Sequence, residues 1–384
     1  MTGIKKVKIT CKTISPVHIG SGESLSRFEY YINNDSYVYI IDQNEFISFL
    51  KNSKNIMENN KNKKLTLQDL AKTDYMEEYQ NYVNEGKSES SLNGFLDSID
   101  KDIANQIINK IKSANKKVKL DFNPENNKRE INLFARSAGM PYIPGSSIKG
   151  AIWTAILYKY LNDESNQDLK NSIKTEKNGE ILKPIIDQLQ EKFGRYFMVS
   201  DAFFDNNTVI TKTNEKPEVW IESIKNNEQF TFELVFKEKL FNKLQTENTK
   251  YFWIKIHENY IKIDPPFTSV KDITDSLKSF YNDAVWNYEL ENLNKEDKLR
   301  SFYEENNKPE NTLIRVGAGS SSIAVSLYLL FKDDKEIQNI LKNKIRNGKE
   351  PKTKTERFPI LREYTEDKNG KIPYGWVELI QCLA

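Results

Sequence analysis

Three times along this 384-residue chain a loop combines glycine and serine with a cationic side chain. Residues 7–14, VKITCKTI, alternate apolar and polar like a strand with one buried face. They run into Ser15, Pro16, Val17, His18, Ile19, Gly20, Ser21, Gly22 and Glu23, where a proline and two glycines break the strand. Residues 131–135, INLFA, lead to Arg136 and a loop from Gly139 to Gly150 that feeds the apolar helix AIWTAILYKYL, with Ser146 or Ser147 as the expected N-cap. The third loop is Arg315, Val316, Gly317, Ala318, Gly319, Ser320, Ser321 and Ser322, followed by an apolar run over 323–331.

The rest of the chain is organised around these loops. Residues 28–32 and 37–41 are β-branched and aromatic runs split by Asn33, Asn34, Asp35 and Ser36, a hairpin signal. Asp42 caps a short helix carrying Phe46, Ile47, Phe49 and Leu50. From 51 to about 118, Asn- and Lys-rich linkers surround two amphipathic helices, 67–83 and 92–111, which together form a helical insertion. Residues 162–194 are polar and helical. Strands are expected over 197–204, 209–213 and 229–236, a helical stretch over 270–293, and a final strand over 375–380. The length favours two domains. The fold class is α+β, with domains 1–200 and 201–384, each enlarged by a helical insertion. A doubly wound sheet would need repeated short βα alternation, which is missing.

Composition narrows the function. With 57 Lys and Arg against 55 Asp and Glu the net charge is +2, so a polycation that coats nucleic acid is excluded and positive charge can act only locally. An 11% aromatic content excludes wholesale disorder. Two cysteines, Cys11 and Cys382, and two histidines, His18 and His257, supply neither a disulfide framework nor Cys/His metal spacing, and no cofactor is expected. The N-terminus lacks a signal-peptide core and no apolar run of membrane-spanning length occurs, which points to the cytoplasm and away from a membrane partner.

Each glycine loop suits a phosphate, because glycine lets backbone N–H groups approach closely and serine adds small donors. Taken singly, such a loop is more often just a turn. None completes a Walker A motif, since Lys149 precedes Gly150 and the Gly317 loop has no lysine. His18 could serve as a general acid or base for RNA cleavage, but packing explains a lone histidine better without a second catalytic group. His257, in a strand-like run, reads as structural. Ser146 and Ser147 lack a triad, and Asp201 reads as a cap or turn residue before a metal ligand. Tyr142, Phe134 and Trp153 flank the second loop, where an aromatic could stack on a base.

Together, SPVHIGSGE, PYIPGSSIKGAI, VSDAFF, RVGAGSS, PKTKTERF and a terminal GWVEL, in that order, resemble the RAMP superfamily of CRISPR-associated proteins. More narrowly they resemble the subunit that caps the 3′ end of the guide RNA (crRNA) in type III-A (Csm) interference complexes. The resemblance covers nearly the whole chain, and PYIPGSSIKGA is its most specific part. It implies two ferredoxin-like, RRM-related domains and a non-catalytic subunit that holds the 3′ portion of the crRNA and supports its maturation. The partners it implies are the neighbouring RAMP backbone subunit and host trimming nucleases. Carried over residue by residue, the RNA contacts are His18, Gly20, Ser21 and Gly22; Arg136, Ser146, Ser147 and Lys149; Arg315, Gly317, Gly319 and Ser320; and Lys352 and Arg357 in the basic stretch. The implied mechanism pairs Lys149, Arg136 and Arg315 with phosphates. Trp153, where relatives carry a basic residue, and Ala318 with Ser321 depart from the family pattern. The alternatives are a metal-independent, guide-processing endoribonuclease using His18, and a purely protein–protein cap.

Overall fold

The computed structural model describes residues 4–33, 36–58, 75–85, 90–114, 116–124, 129–174, 183–205, 207–214, 218–237, 252–256, 259–294, 297–306, 308, 310–320, 323–335, 364–367 and 370–383. The alternation at the N-terminus becomes strand β1 (Ile4–Thr13), with Val7, Ile9, Cys11 and Thr13 buried and Lys6 and Lys8 exposed. With β2 (Phe197–Val199), β3 (Gln229–Lys237), β4 (Thr312–Arg315) and β5 (Trp376–Leu383) it makes an antiparallel sheet of order β4-β5-β1-β3-β2. Helix α1 (Gly145–Asn162) lies in the connection from β1 to β2. Helix α2 (Val270–Leu277), capped by reciprocal bonds between Ser269 and Asp272 and continued by a π-helical turn over Lys278–Trp286, lies between β3 and β4. The two helices pack on each other. The sequence of α1 is apolar nearly all round, and ten of its residues are accordingly buried.

Two units are present, but the cut near residue 200 is not where they divide. One comprises Met1–Ile19, Ala135–Asn207 and Ile224–Ala384, the other Gly20–Phe134 and Thr208–Ser223. The cause is strand order. β1 sits between β3 and β5, so both ends of the chain enter one sheet and the second unit leaves and rejoins it in loops.

The second unit is a seven-stranded sheet ordered Gly20–Leu25, Ile131–Phe134, Trp220–Ile224, Thr208–Lys212, Lys117–Leu120, Tyr37–Ile40 and Tyr30–Ile32. It includes two parallel pairings, Trp220–Ile224 with Ile131–Phe134 and Thr208–Lys212 with Lys117–Leu120. The expected insertion is the helical layer of this unit. Phe46 and Leu50, Tyr79, Leu92 and Phe95, and Ile107 come from successive helices and share one core with Tyr39. Asp42 caps its helix as expected, accepting from the Asn44 and Glu45 N–H groups. The helix expected over 92–111 is two, Leu92–Ser98 and Lys101–Ala114. Ile99 turns extended, and the Asp100 carboxylate starts the second helix by accepting from the N–H of Asp102 and Ile103. Of the helix expected over 67–83, Tyr75–Asn84 is seen and 67–74 lie outside the described residues.

The strand Trp220–Ile224 is not apparent in the sequence, because Glu222 interrupts its apolar run. That carboxylate is fully buried. It is satisfied by the Phe134 N–H (3.0 Å) and the Thr208 hydroxyl (2.7 Å), with the Lys116 ammonium at 3.8 Å.

Candidate nucleic-acid interface

In the first unit, residues 15–19 leave β1 and are bound at nearly every step. The Ser15 hydroxyl accepts from the Trp376 N–H (2.8 Å), and the Pro16 carbonyl accepts from the Gly375 N–H (2.8 Å). Val17 exchanges backbone bonds with Ile224 (2.9 and 2.8 Å). The carbonyls of His18 and Ile19 accept from Ala318 and Ala135, both at 2.8 Å. The first and third loops are thereby joined. Gly317 is at φ +87°, and a Cβ there would stand 2.3 Å from the His18 carbonyl oxygen, so both its conformation and the closeness of approach require glycine.

This junction corrects two expected RNA contacts. Arg315 is fully buried: Nη1 donates to Glu289 Oε1 (2.6 Å), Nε to the Tyr374 carbonyl (2.9 Å) and Nη2 to the Gly319 carbonyl (3.1 Å), and the guanidinium lies 5.1 Å from the Trp376 ring centre. The other Glu289 oxygen accepts from the Tyr303 hydroxyl. Each of the three guanidinium nitrogens donates internally and the side chain is fully buried, so Arg315 braces the loop and does not face a phosphate. His18, 4% exposed, is likewise inside and is withdrawn as an RNA contact and as an exposed acid or base. Gly317 and Gly319 remain part-exposed at the loop surface. The Ser320 hydroxyl is buried without a hydrogen-bond partner.

The second loop is built differently. Strands Arg136–Ser137 and Met140–Ile143 form a hairpin through Ala138 (φ 49°) and Gly139 (φ 80°), with Arg136 Nη1 donating to the Gly139 carbonyl at 3.0 Å. Strand Ala202–Phe203 extends the hairpin, and the rings of Tyr142 and Phe203 stack at 5.7 Å. α1 then begins without a serine cap. Pro144 occupies the N-cap position, and the Gly145 N–H donates to Asp201 Oδ1 at 2.7 Å. A Cβ on Gly145 would lie 2.2 Å from the Val199 carbonyl oxygen. Asp201, in VSDAFF, thus holds the helix start from outside the helix. Ser146 and Ser147 are released from capping; Ser146 is exposed and Ser147 half-buried. One turn on, Lys149 Nζ donates to the Gly194 carbonyl (2.6 Å) and lies 5.1 Å from the Phe197 ring centre. Burial holds its ammonium below the usual lysine range. An ammonium has three donors, so Lys149 can still bind an anion.

In the second unit, Gly20, Ser21 and Gly22 are exposed. They do not end a strand but bulge one. Gly20–Leu25 is an edge strand whose register slips between Gly20 and Ser24, with Gly22 at φ +84°. The Ser21 hydroxyl donates to the Leu133 carbonyl (3.2 Å) and accepts from the Glu23 N–H (3.1 Å). Lys352, Arg357 and His257 lie outside the described residues. Among the described residues, no group of three or more His, Cys, Asp or Glu could hold a metal ion, and no helix is long and apolar enough to cross a membrane.

Sequence reasoning missed Glu289, Tyr374 and Gly375 as the frame of the third loop. The GW of the terminal GWVEL was their one signal, since Gly375 (φ +90°) could be suspected of a special turn while Glu289 is distant in sequence.

The RAMP superfamily pattern matches residues 10–322, and the chain belongs to that superfamily. The CRISPR system Cms protein Csm5 of Methanocaldococcus jannaschii is 24% identical over 97% of this chain and 88% of its own length. The protein of the same name from Enterococcus italicus is 31% identical, over 40% of this chain and 43% of its own. Among solved structures, the T. onnurineus Csm5 crystal structure superimposes with a TM-score of 0.62 at 18% identity, over 97% of this chain and all of the other. A chain of the cryo-EM Csm–crRNA–target RNA ternary complex of a type III-A CRISPR-Cas system does so with a TM-score of 0.59 at 20% identity, with the same coverage. At such identities the structural likeness is one of fold.

Proposed function

We propose that this chain is a non-catalytic, crRNA-binding subunit of a type III-A (Csm) CRISPR effector complex, capping the 3′ portion of the guide and supporting its maturation in antiviral defence. Its partners in this role are the crRNA, the neighbouring RAMP backbone subunit and host trimming nucleases, in the cytoplasm. The observation that carries the proposal is the segment 136–150, where a braced hairpin and helix start leave Arg136, Ser146, Ser147 and Lys149 accessible in the stretch that also carries the family signature. The name of the relative matched over 97% of this chain supports the choice of complex. The order β5-β1-β3-β2, with a helix in each crossover, supports a ferredoxin-like first unit with β4 added at its edge; the parallel pairings of the second unit give no such support there.

Binding of this kind is sequence-independent. Cations neutralise phosphates, and loop N–H groups and hydroxyls set the register of the strand without reading bases. The burial of His18 favours this role over guide cleavage. The test is the double variant Lys149→Met, Arg136→Met in the assembled complex. Guide affinity should fall equally for unrelated guide sequences, and the slope of log K against log salt should shrink by about two. Unchanged affinity and slope would overturn the proposal.

A further inference from the structure

Lys149 also lines a cavity of about 500 Å³ in the first unit. Ser146, Gly150, Trp153 and Leu157 contribute from α1, Ile186 and Gln190 from helix Lys183–Phe193, and Val325 from the segment after the third loop. Two of these side chains are in unusual states. Trp153 is only 6% exposed and its Nε1 is buried away from solvent with no hydrogen-bond partner, so what the indole lends the cavity is ring surface and not its N–H. Val325 is apolar and 57% exposed. The lining otherwise combines one ammonium, hydroxyls and an amide with aliphatic walls, and none of the lining residues is a carboxylate.

A cavity with these properties favours an anion that carries a flat, weakly polar body. An apolar protein side chain would cover the walls but leave the ammonium unanswered. Inorganic phosphate would answer the ammonium alone. A nucleotide satisfies both, and the volume lies within the range of small-ligand sites. We propose that this cavity receives a single unstacked nucleotide of the bound RNA, its phosphate at Lys149 and its base against Trp153 and the aliphatic walls. This inference rests on the RNA-binding role above and adds a base-sized subsite to it.

The test titrates the whole protein calorimetrically with uridine monophosphate, uridine and inorganic phosphate. The monophosphate should bind about tenfold or more tightly than either fragment, since a charge-assisted contact and a buried one are both lost on splitting it. Lys149→Met removes the ammonium and should weaken the monophosphate about three- to tenfold while leaving uridine unchanged. Gly150→Trp should abolish its binding by filling the cavity; a Cβ at Gly150 meets nothing within 4 Å, so the variant can fold. In the assembled complex, 4-thiouridine placed at the guide 3′ terminus or at an internal position should crosslink to the peptide bearing Trp153, and the reactive position identifies a terminal or an extruded nucleotide. Monophosphate binding that is absent, or equal in wild type and both variants, overturns the inference while intact guide binding leaves the RNA-binding role standing. Guide binding that is absent in the wild type removes that role itself. If Gly150→Trp blocks association with the neighbouring subunit and spares monophosphate binding, the occupant is a protein side chain and the inference fails.

Discussion

Arg315 and Lys149 begin from the same description, a cation in a loop of glycines and serines, and end in opposite roles. Arg315 is wholly enclosed, its guanidinium divided among Glu289, Tyr374 and Gly319 over the face of Trp376. Lys149 is half-buried, bound once to Gly194, and lines an open cavity. What separates them is the backbone around each. The third loop is pressed against residues 15–19 by Gly317 and Gly375, both at positive φ, and that closure seals the arginine inside. The second loop is anchored from outside through Asp201, which leaves the next helical turn facing solvent. A cation in such a motif is therefore a ligand contact only where the loop is braced by other groups.

The comparison can be broken most forcefully at Arg315. Arg315→Ala leaves the Glu289 carboxylate buried without its cation and should destabilise the first unit by about 3–5 kcal/mol. Chemical denaturation reads this, and RNA affinity per folded molecule should not change. If RNA affinity falls without loss of stability, the two cations share a role after all. Gly317→Ala should cost about 2–3 kcal/mol, because an L-residue at φ +87° is strained and its Cβ would collide with the His18 carbonyl. Asp201→Ala removes only the anchor of α1 and should cost about 1 kcal/mol, with Asp201→Asn recovering part of it. Lys149→Met should move stability least, by under about 1 kcal/mol, yet lower the salt dependence of RNA binding by about one phosphate. Since burial already holds the Lys149 ammonium below the usual lysine range, its share of RNA binding should fade at a lower pH than that of the exposed lysines as pH is raised. A pH profile of wild type against Lys149→Met would show this, and parallel profiles would contradict it.

Much of the local structure was legible in the residues. The alternation of VKITCKTI marks β1, the Asn-rich break between aromatic runs marks the hairpin Tyr30–Ile32 with Tyr37–Ile40, and Asp42 marks a helix start. These follow from side-chain periodicity and backbone propensity, which act over a few residues. The strand Trp220–Ile224 was not legible, because a buried glutamate is tolerated only where Phe134 and Thr208 meet it. The break at Ile99 was missed because the apolar period runs through it, while Asp100 decides locally that a new helix begins. At the candidate site, the helix was foreseen, but the loop expected over 139–150 is a strand hairpin followed by a helix that already starts at Gly145, and the cap assigned to serines comes from Asp201, far along the chain.

The sequence alone determined the superfamily, many of the strands and helices, and where the three glycine-serine segments lie, since order and spacing of short motifs survive any arrangement of the chain. Only the tertiary structure decided which cations face inward, that both termini share one sheet, and that Trp153 borders a cavity. Burial, strand partners and cavities are set by contacts between residues remote in sequence, and no local pattern encodes them.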